Sequence, residues 1–269
     1  MLRSGMSGDG RGGMLLSPDD PPPFQTVNSD RKGRLVLVCE HAGIEVPAQL
    51  GNLGLQPEDF AKHIALDIGA AGVARRLAQR LDAPLVLQPY SRLVVDCNRS
   101  YEAPDCFPET SDTILIPGNL HLPEAARRRR YEEIHNVFHA EIDRLLDGQP
   151  DPKRAILVNI HSFTPRLLAN NIYRPWEIGL LFNRDDHYAR RLMNALRSLR
   201  PEVKAAFNQP YQGGDETDYS IPVHGERRGI EHVLIEIRND LIASKIGQEE
   251  WADLLAVAIE RTLEKEARP

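Results

Sequence analysis

Four short stretches of the sequence carry side chains suited to acid–base or metal chemistry, and each lies at the end of an apolar run. RLVLVC (34–39) is followed by Glu40-His41, and LVVD (93–96) runs into Cys97-Asn98-Arg99. AILVNI (155–160) is followed by His161-Ser162-Phe163, and VLIEI (233–237) holds Glu236 just before Arg238. Imidazoles and carboxylates bind metals and carry protons, and guanidinium forks match carboxylates. If the runs are parallel strands, two His, several carboxylates and two Arg converge on one edge of a sheet. That is the inventory of a metal-assisted hydrolase with a carboxylate-binding pocket. A single strand-end His is ordinarily a hydrogen-bonded structural residue; the conjunction is what points to a site.

The elements that must position these residues alternate in type. Short apolar runs read as strands at Arg34–Cys39, Pro84–Leu87, Leu93–Asp96, Ala155–Ile160, Ile178–Phe182 and Val233–Ile237. Helical periodicity runs from Pro57 to about Leu81, and over His121–Leu146, Asp186–Leu199 and Gly247–Glu264. In the second of these helices Tyr131, Ile134, Phe138, Ile142 and Leu145 form the inward stripe. Continuous apolar strands separated by helices predict an α/β fold, its largely parallel sheet covered on both faces. Such sheets gather their functional groups at the carboxyl ends of the strands.

Composition bounds the rest. The 269 residues suit one large domain, and 33 Lys+Arg against 39 Asp+Glu give a net charge of −6. A surface this acidic excludes non-specific nucleic-acid binding, which needs a basic face. No run reaches the length of a membrane span, and the N-terminus lacks the apolar core of a secretory signal. The three cysteines, Cys39, Cys97 and Cys106, form no C-x-x-C pair. They predict no disulfide framework and a reducing compartment, the cytoplasm. Residues 1–30 are rich in Gly, Ser, Asp and Pro and read as a flexible N-terminal arm, with Phe24 and Val27 as docking points. Residues 31–269 read as a single hydrolase domain.

The strings VCEHAGIEVP, ALDIGA, SRLVVDCNRS, NIHSFTP and HVLIEIRNDLI, in this order and spacing, resemble the N-formylglutamate amidohydrolase family. The resemblance covers about residues 35–243. It implies a phosphorylase/hydrolase-like three-layer α/β/α sandwich around a mixed, largely parallel sheet, related to the zinc carboxypeptidases and aspartoacylase-like deacylases. It further implies zinc-dependent cleavage of an N-acylated acidic amino acid. The namesake reaction, a step of histidine degradation, takes N-formyl-L-glutamate to formate and glutamate. The partner is then a small anionic amino-acid derivative, with no nucleic acid and no membrane. The oligomeric state, including a homo-oligomer, stays open.

Within that resemblance, His41 matches the first metal ligand and His161 the second, for one Zn2+ per chain. The distant relatives carry H-x-x-E, but here Ile44 stands three residues after His41, so the acidic ligand is open. Asp67 is preferred, because a carboxylate in the apolar stripe of the helix expected over 57–81 needs a partner; Glu40 and Glu45 are the alternatives. Glu236 is the expected general base, its ordinary reading being an ion pair with Arg238. Arg92, Asn98 and Arg99 are the expected substrate-carboxylate clamp, oriented by Asp96. His224 is expected to stabilise the oxyanion or bind substrate, and His139 to reach the pocket. Gln212–Tyr219 reads as a loop covering the site. A deacylase or peptidase with another substrate, or a non-catalytic binding protein of the same fold, are the competing readings.

Overall fold

The computed structural model describes residues 13–264. Its centre is a seven-stranded sheet in the order β1-β3-β2-β6-β9-β7-β8. The strands are β1 (Gln25–Val27), β2 (Leu35–Cys39), β3 (Leu85–Leu87), β6 (Ile156–Phe163), β7 (Ile178–Leu181), β8 (Ala205–Phe207) and β9 (Glu231–Arg238). β3, β2, β6 and β9 are mutually parallel, whereas β1 and β7 run antiparallel to their neighbours β3 and β9. A separate hairpin pairs β4 (Thr110–Ser111) with β5 (Ile114–Leu115).

Alternation along the central strands sorts the two faces. Leu35, Leu37, Ile156, Val158, Val233 and Ile235 pack against α1 (Ala70–Arg80), α4 (His187–Leu199) and α5 (Lys245–Glu264). Val36, Val38, Val86 and Leu157 pack on the other side against Ile134, Phe138, Ile142 and Leu145. Those four sit on one continuous helical rod: α2 (Glu124–Arg130), a π-helical turn over Tyr131–His135 and α3 (Asn136–Asp147). Full burial of each such side chain stabilises by about 1.5–3 kcal/mol. The three-layer α/β/α sandwich read from the sequence is the observed architecture.

Two expectations are corrected. The helix expected from Pro57 to Leu81 is a short 3₁₀ turn at Pro57–Ala61, then irregular chain, then α1. The break is at Gly69, whose φ is +82° and whose Cα faces the Ile242 carbonyl so closely that a Cβ would sit 2.2 Å from the oxygen. Leu93–Asp96 is not a strand but a series of turns, in which Val94 N–H donates to Ser91 and Arg99 N–H to Asp96. Residues 15–27 of the expected arm contact the domain, with Phe24 and Val27 packed against its two cores. Leu15 is buried, Leu15 and Leu16 N–H donate to Glu133, the Tyr90 hydroxyl donates to the Pro21 carbonyl, and Gln25–Val27 form β1. Residues 1–12 of the expected flexible arm lie outside the described residues. The three cysteines are buried and unbridged. Among the described residues, no helix is long and apolar enough to cross a membrane.

Candidate active site

The α2–α3 face of the sheet also carries the chemistry. Val38 is the register partner of Asn159, and His161 of Glu236, so alternation sends Glu40, Asn159, His161 and Glu236 to the same side. Asp67 comes from the turn that Gly69 ends. Its N–H donates to the His41 carbonyl (3.0 Å), which ties the turn to the end of β2. Asp67 Oδ2 then lies 2.8 Å from His161 Nδ1 and 3.4 Å from His41 Nδ1, and accepts the Ser162 N–H at 3.1 Å. The ligand atoms of His41, Asp67 and His161 fall within 4.8 Å of one another, all buried. The two rings meet edge to face at 82°.

The outer nitrogen of each ring is held by a second carboxylate. His41 Nε2 is 2.7 Å from Asp96 Oδ1, and His161 Nε2 is 2.9 Å from Glu40 Oε2. Glu40 is fixed in turn by Asn159 Nδ2 and Ser220 Oγ, both donating to Oε1. Asp96 also accepts Arg92 Nε (3.0 Å) and Nη2 (2.7 Å). Metal-ligating imidazoles are generally oriented in this way by carboxylates on their far nitrogens.

Charge argues the same. Burial opposes ionisation of Glu40, Asp67 and Asp96, yet all three stay below the usual carboxylate range. His161 does this for Glu40, the two imidazoles for Asp67, and Arg92 with His41 for Asp96. Burial also opposes charge on His161, but Glu40 and Asp67 outweigh it and hold its pKa well above the imidazole range. Three buried carboxylates and one guanidinium, Arg92, surround two imidazoles. Such a cage favours a cation, and its two-nitrogen, one-oxygen donor set fits a metal ion.

Glu236 stands apart from this network. Its Oε2 is buried with no hydrogen-bond partner, and Arg238 pairs with Asp240 instead (2.8 Å). The Glu236–Arg238 ion pair is therefore absent. An unpaired buried carboxylate costs several kcal/mol. Burial accordingly pushes the Glu236 carboxyl up to about 8; the Asp67 charge adds to this, while His161 and Arg92 oppose it. Glu236, His41, Asp67, His161 and Arg92 all line one cavity of about 300 Å³. Its walls are completed by His63, by Ser111 and Asp112 of the hairpin, by Ser162–Thr164, Leu167 and Ala169, and by Tyr211.

The other expected residues lie elsewhere. Asn98 spends its side chain on the neighbouring segment: Nδ2 donates to Asp218, and Oδ1 accepts Tyr219 and Ser220 N–H. Arg99 pairs with Asp105 (2.7 Å) and donates to the Thr217 carbonyl, away from the cavity lining. His139 and His224 form a buried pair and do not line the cavity. The Cys97 carbonyl can only accept, so His139 Nε2 donates to it (2.7 Å) and its Nδ1 accepts from His224 Nε2 (2.9 Å). His224 Nδ1 faces Asp143 (3.0 Å). Glu45 is exposed, and Gln212–Tyr219 does not line the cavity. His63, Asp112 and Tyr211 line the cavity as well and are not among the residues expected from the sequence. The spacing of His63 four residues before Asp67 was the one available signal.

A mixed, largely parallel sheet covered by helices on both faces, with its polar side chains at the carboxyl ends of the central strands, defines a three-layer α/β/α sandwich of the phosphorylase/hydrolase-like kind. Residues 33–243 match the family model of N-formylglutamate amidohydrolase, and the chain belongs to that amidohydrolase family. Over 94% of its length it is similar to the whole of a gene product from Agrobacterium tumefaciens, with 33% identity and a TM-score of 0.85. Over 92% it shares the fold of an N-formylglutamate amidohydrolase from Ralstonia eutropha, of which 99% is covered, with 19% identity and a TM-score of 0.69. No curated protein matches it.

Proposed function

We propose that this amidohydrolase cleaves the amide of an N-acylated acidic amino acid, in the simplest case N-formyl-L-glutamate to formate and L-glutamate. The observation that carries this is Glu236: a buried carboxylate with an unpartnered oxygen, in the same cavity as the His41–Asp67–His161 cluster. His41, Asp67 and His161 would hold one zinc ion, the metal best suited to that donor set. When bound, zinc supplies Lewis acidity toward the acyl oxygen and the attacking water.

The protein's own groups do the proton work. Glu236 takes a proton from the attacking water as the C–O bond forms, and returns it to the departing amine nitrogen as the C–N bond breaks. The raised pKa favours the second half, in which the carboxyl delivers its proton; the first half needs the carboxylate, which a cation held by the neighbouring His41–Asp67–His161 cluster would favour. Arg92 lines the cavity, and its Nη1 makes only a long contact, 3.4 Å, with Asp67, which leaves it able to meet a substrate carboxylate. Glu40 and Asp96 keep the two imidazoles aimed. Buried, unbridged cysteines support a cytoplasmic setting, with residues 31–269 as one hydrolase domain.

The test is a panel of N-formyl-, N-acetyl- and N-succinyl-L-glutamate, assayed for acid release with zinc-supplemented protein and its Glu236→Gln variant. The formyl substrate should be preferred, and the variant should lose about 10²–10⁴-fold in kcat. Preference for another acyl group would reassign the substrate, and near-wild-type turnover by the variant would remove Glu236 from its role.

A further inference from the structure

Glutamate carries two carboxylates, and Arg92, the guanidinium that lines the cavity, has only Nη1 to offer to one of them. Arg92 gives Nε and Nη2 to Asp96 and its remaining contact to Asp67. Arg99, the second expected clamp, is paired with Asp105. Beside the cavity, however, stands Arg174, which has no carboxylate partner among the described residues. Its Nη1 donates to the Tyr211 hydroxyl (2.9 Å) and the Thr164 carbonyl (3.4 Å), and its guanidinium lies 5.0 Å from the centre of the Tyr211 ring. Tyr211 and Thr164 both line the cavity, as does His63, which feels the positive charge of Arg92 and Arg174 alike.

This arrangement has the chemistry of an anion receptor. Stacking on an aromatic ring holds a guanidinium fork in place without neutralising it. Because Tyr211 accepts from Arg174, its own O–H proton remains free to donate. Arginine and phenol together then offer N–H and O–H donors to one carboxylate.

We infer that Arg174, seated on Tyr211, is the specificity-determining residue that recognises the side-chain carboxylate of the substrate. The inference rests on the proposed function. It makes the enzyme selective for dianionic N-acyl amino acids over isosteric monoanionic ones.

The experiment compares N-formyl-L-glutamate with N-formyl-L-glutamine, which replaces that carboxylate by an amide, using zinc-supplemented wild type, Arg174→Leu and Arg174→Lys. Wild type should favour the glutamate substrate. Arg174→Leu should lower kcat/KM for it by about 50-fold, mainly through KM, and change that for the glutamine substrate by less than about threefold. Arg174→Lys, which keeps the charge but not the fork, should recover part of the loss. An equal fall on both substrates, or an unchanged preference, overturns the inference while leaving the hydrolase reading intact. If wild type hydrolyses neither compound, the proposed function fails. Calorimetric binding of the two compounds then decides the inference: loss of the preference for glutamate in Arg174→Leu sustains it, and retention overturns it. A variant that does not fold is recognised by its melting curve, and Arg174→Lys and Arg174→Gln then carry the comparison with the same two outcomes.

Discussion

His161 and Glu236 are register partners on the parallel strands β6 and β9 and face the same side of the sheet. One is held on both ring nitrogens by carboxylates, and the other has an oxygen with no partner at all. A single strand pairing thus sets a fully engaged imidazole beside a buried carboxyl group with an unpartnered oxygen. The division of labour follows from the neighbours each side chain finds beyond the strand.

That division predicts graded effects on metal affinity. Asp67→Ala removes the proposed third ligand and should abolish stoichiometric zinc binding. Glu40→Gln and Asp96→Asn, which disturb the carboxylates on the outer ring nitrogens rather than the proposed ligands, should weaken binding by about 10–100-fold. Glu45→Ala, at an exposed position, should leave it unchanged. Competition against a chromophoric chelator measures all four. Equal losses for Asp67→Ala and Glu45→Ala would contradict the ligand assignment.

The turn that delivers Asp67 depends on Gly69. Gly69→Ala places a Cβ at φ +82° and 2.2 Å from the Ile242 oxygen. It should cost more than about 1 kcal/mol of stability and also weaken zinc binding, since Asp67 moves with the turn. Urea denaturation with a zinc titration checks both. A variant with wild-type stability and affinity would show that the turn does not position the ligand.

Asn98 and Arg99 separate a structural role from a binding role. Asn98→Ala leaves the Tyr219 and Ser220 N–H groups without their acceptor, a loss of about 1–3 kcal/mol in stability. Arg99→Ala should change KM by less than about threefold, because its partners are Asp105 and the Thr217 carbonyl. Arg92→Ala should raise KM strongly. Steady-state kinetics beside thermal melts distinguish the three, and a larger KM effect for Arg99→Ala than for Arg92→Ala would reverse the assignment.

The buried cluster of His135, His139 and His224 sets an acid limit. Burial holds His135 down, to about 4 from 6.5, and pushes His139 well below its usual range; the latter's neighbours His135 and His224 add to the effect. Both are neutral in the fold at neutral pH. As pH falls below about 6.5 the unfolded chain takes up protons that the folded chain refuses, so stability drops down to the folded pKa. For His135 this amounts to about 3 kcal/mol between pH 6.5 and 4. His135→Phe should flatten that part of the profile. Denaturant midpoints across the range test it, and an unchanged slope would contradict the buried neutral state.

How far the sequence could be read depends on where each residue's environment comes from. His41, His161 and Glu236 follow or sit within apolar runs, so their convergence needs only parallel pairing of strands that hydrophobicity already marks. Asp67 lies in a turn where the hydrophobic pattern predicts helix, because the periodicity continues across Gly69, a glycine needed for a left-handed turn and a close backbone approach. Asn98 and Arg99 look like a clamp by residue type. Their partners, Asp218 and Asp105, are set by turns with no periodic signature. Asp112 was invisible for the same reason: it lines the cavity because its carboxylate accepts Leu168 and Ala169 N–H across the hairpin tip.

The most direct measurement is formate release from N-formyl-L-glutamate by the purified chain, followed through chelation and the return of zinc. Formate should appear, stop when the metal is stripped, and resume as zinc is restored to about one ion per chain. Formate release that persists after complete chelation, or no release at any zinc level, would contradict the account.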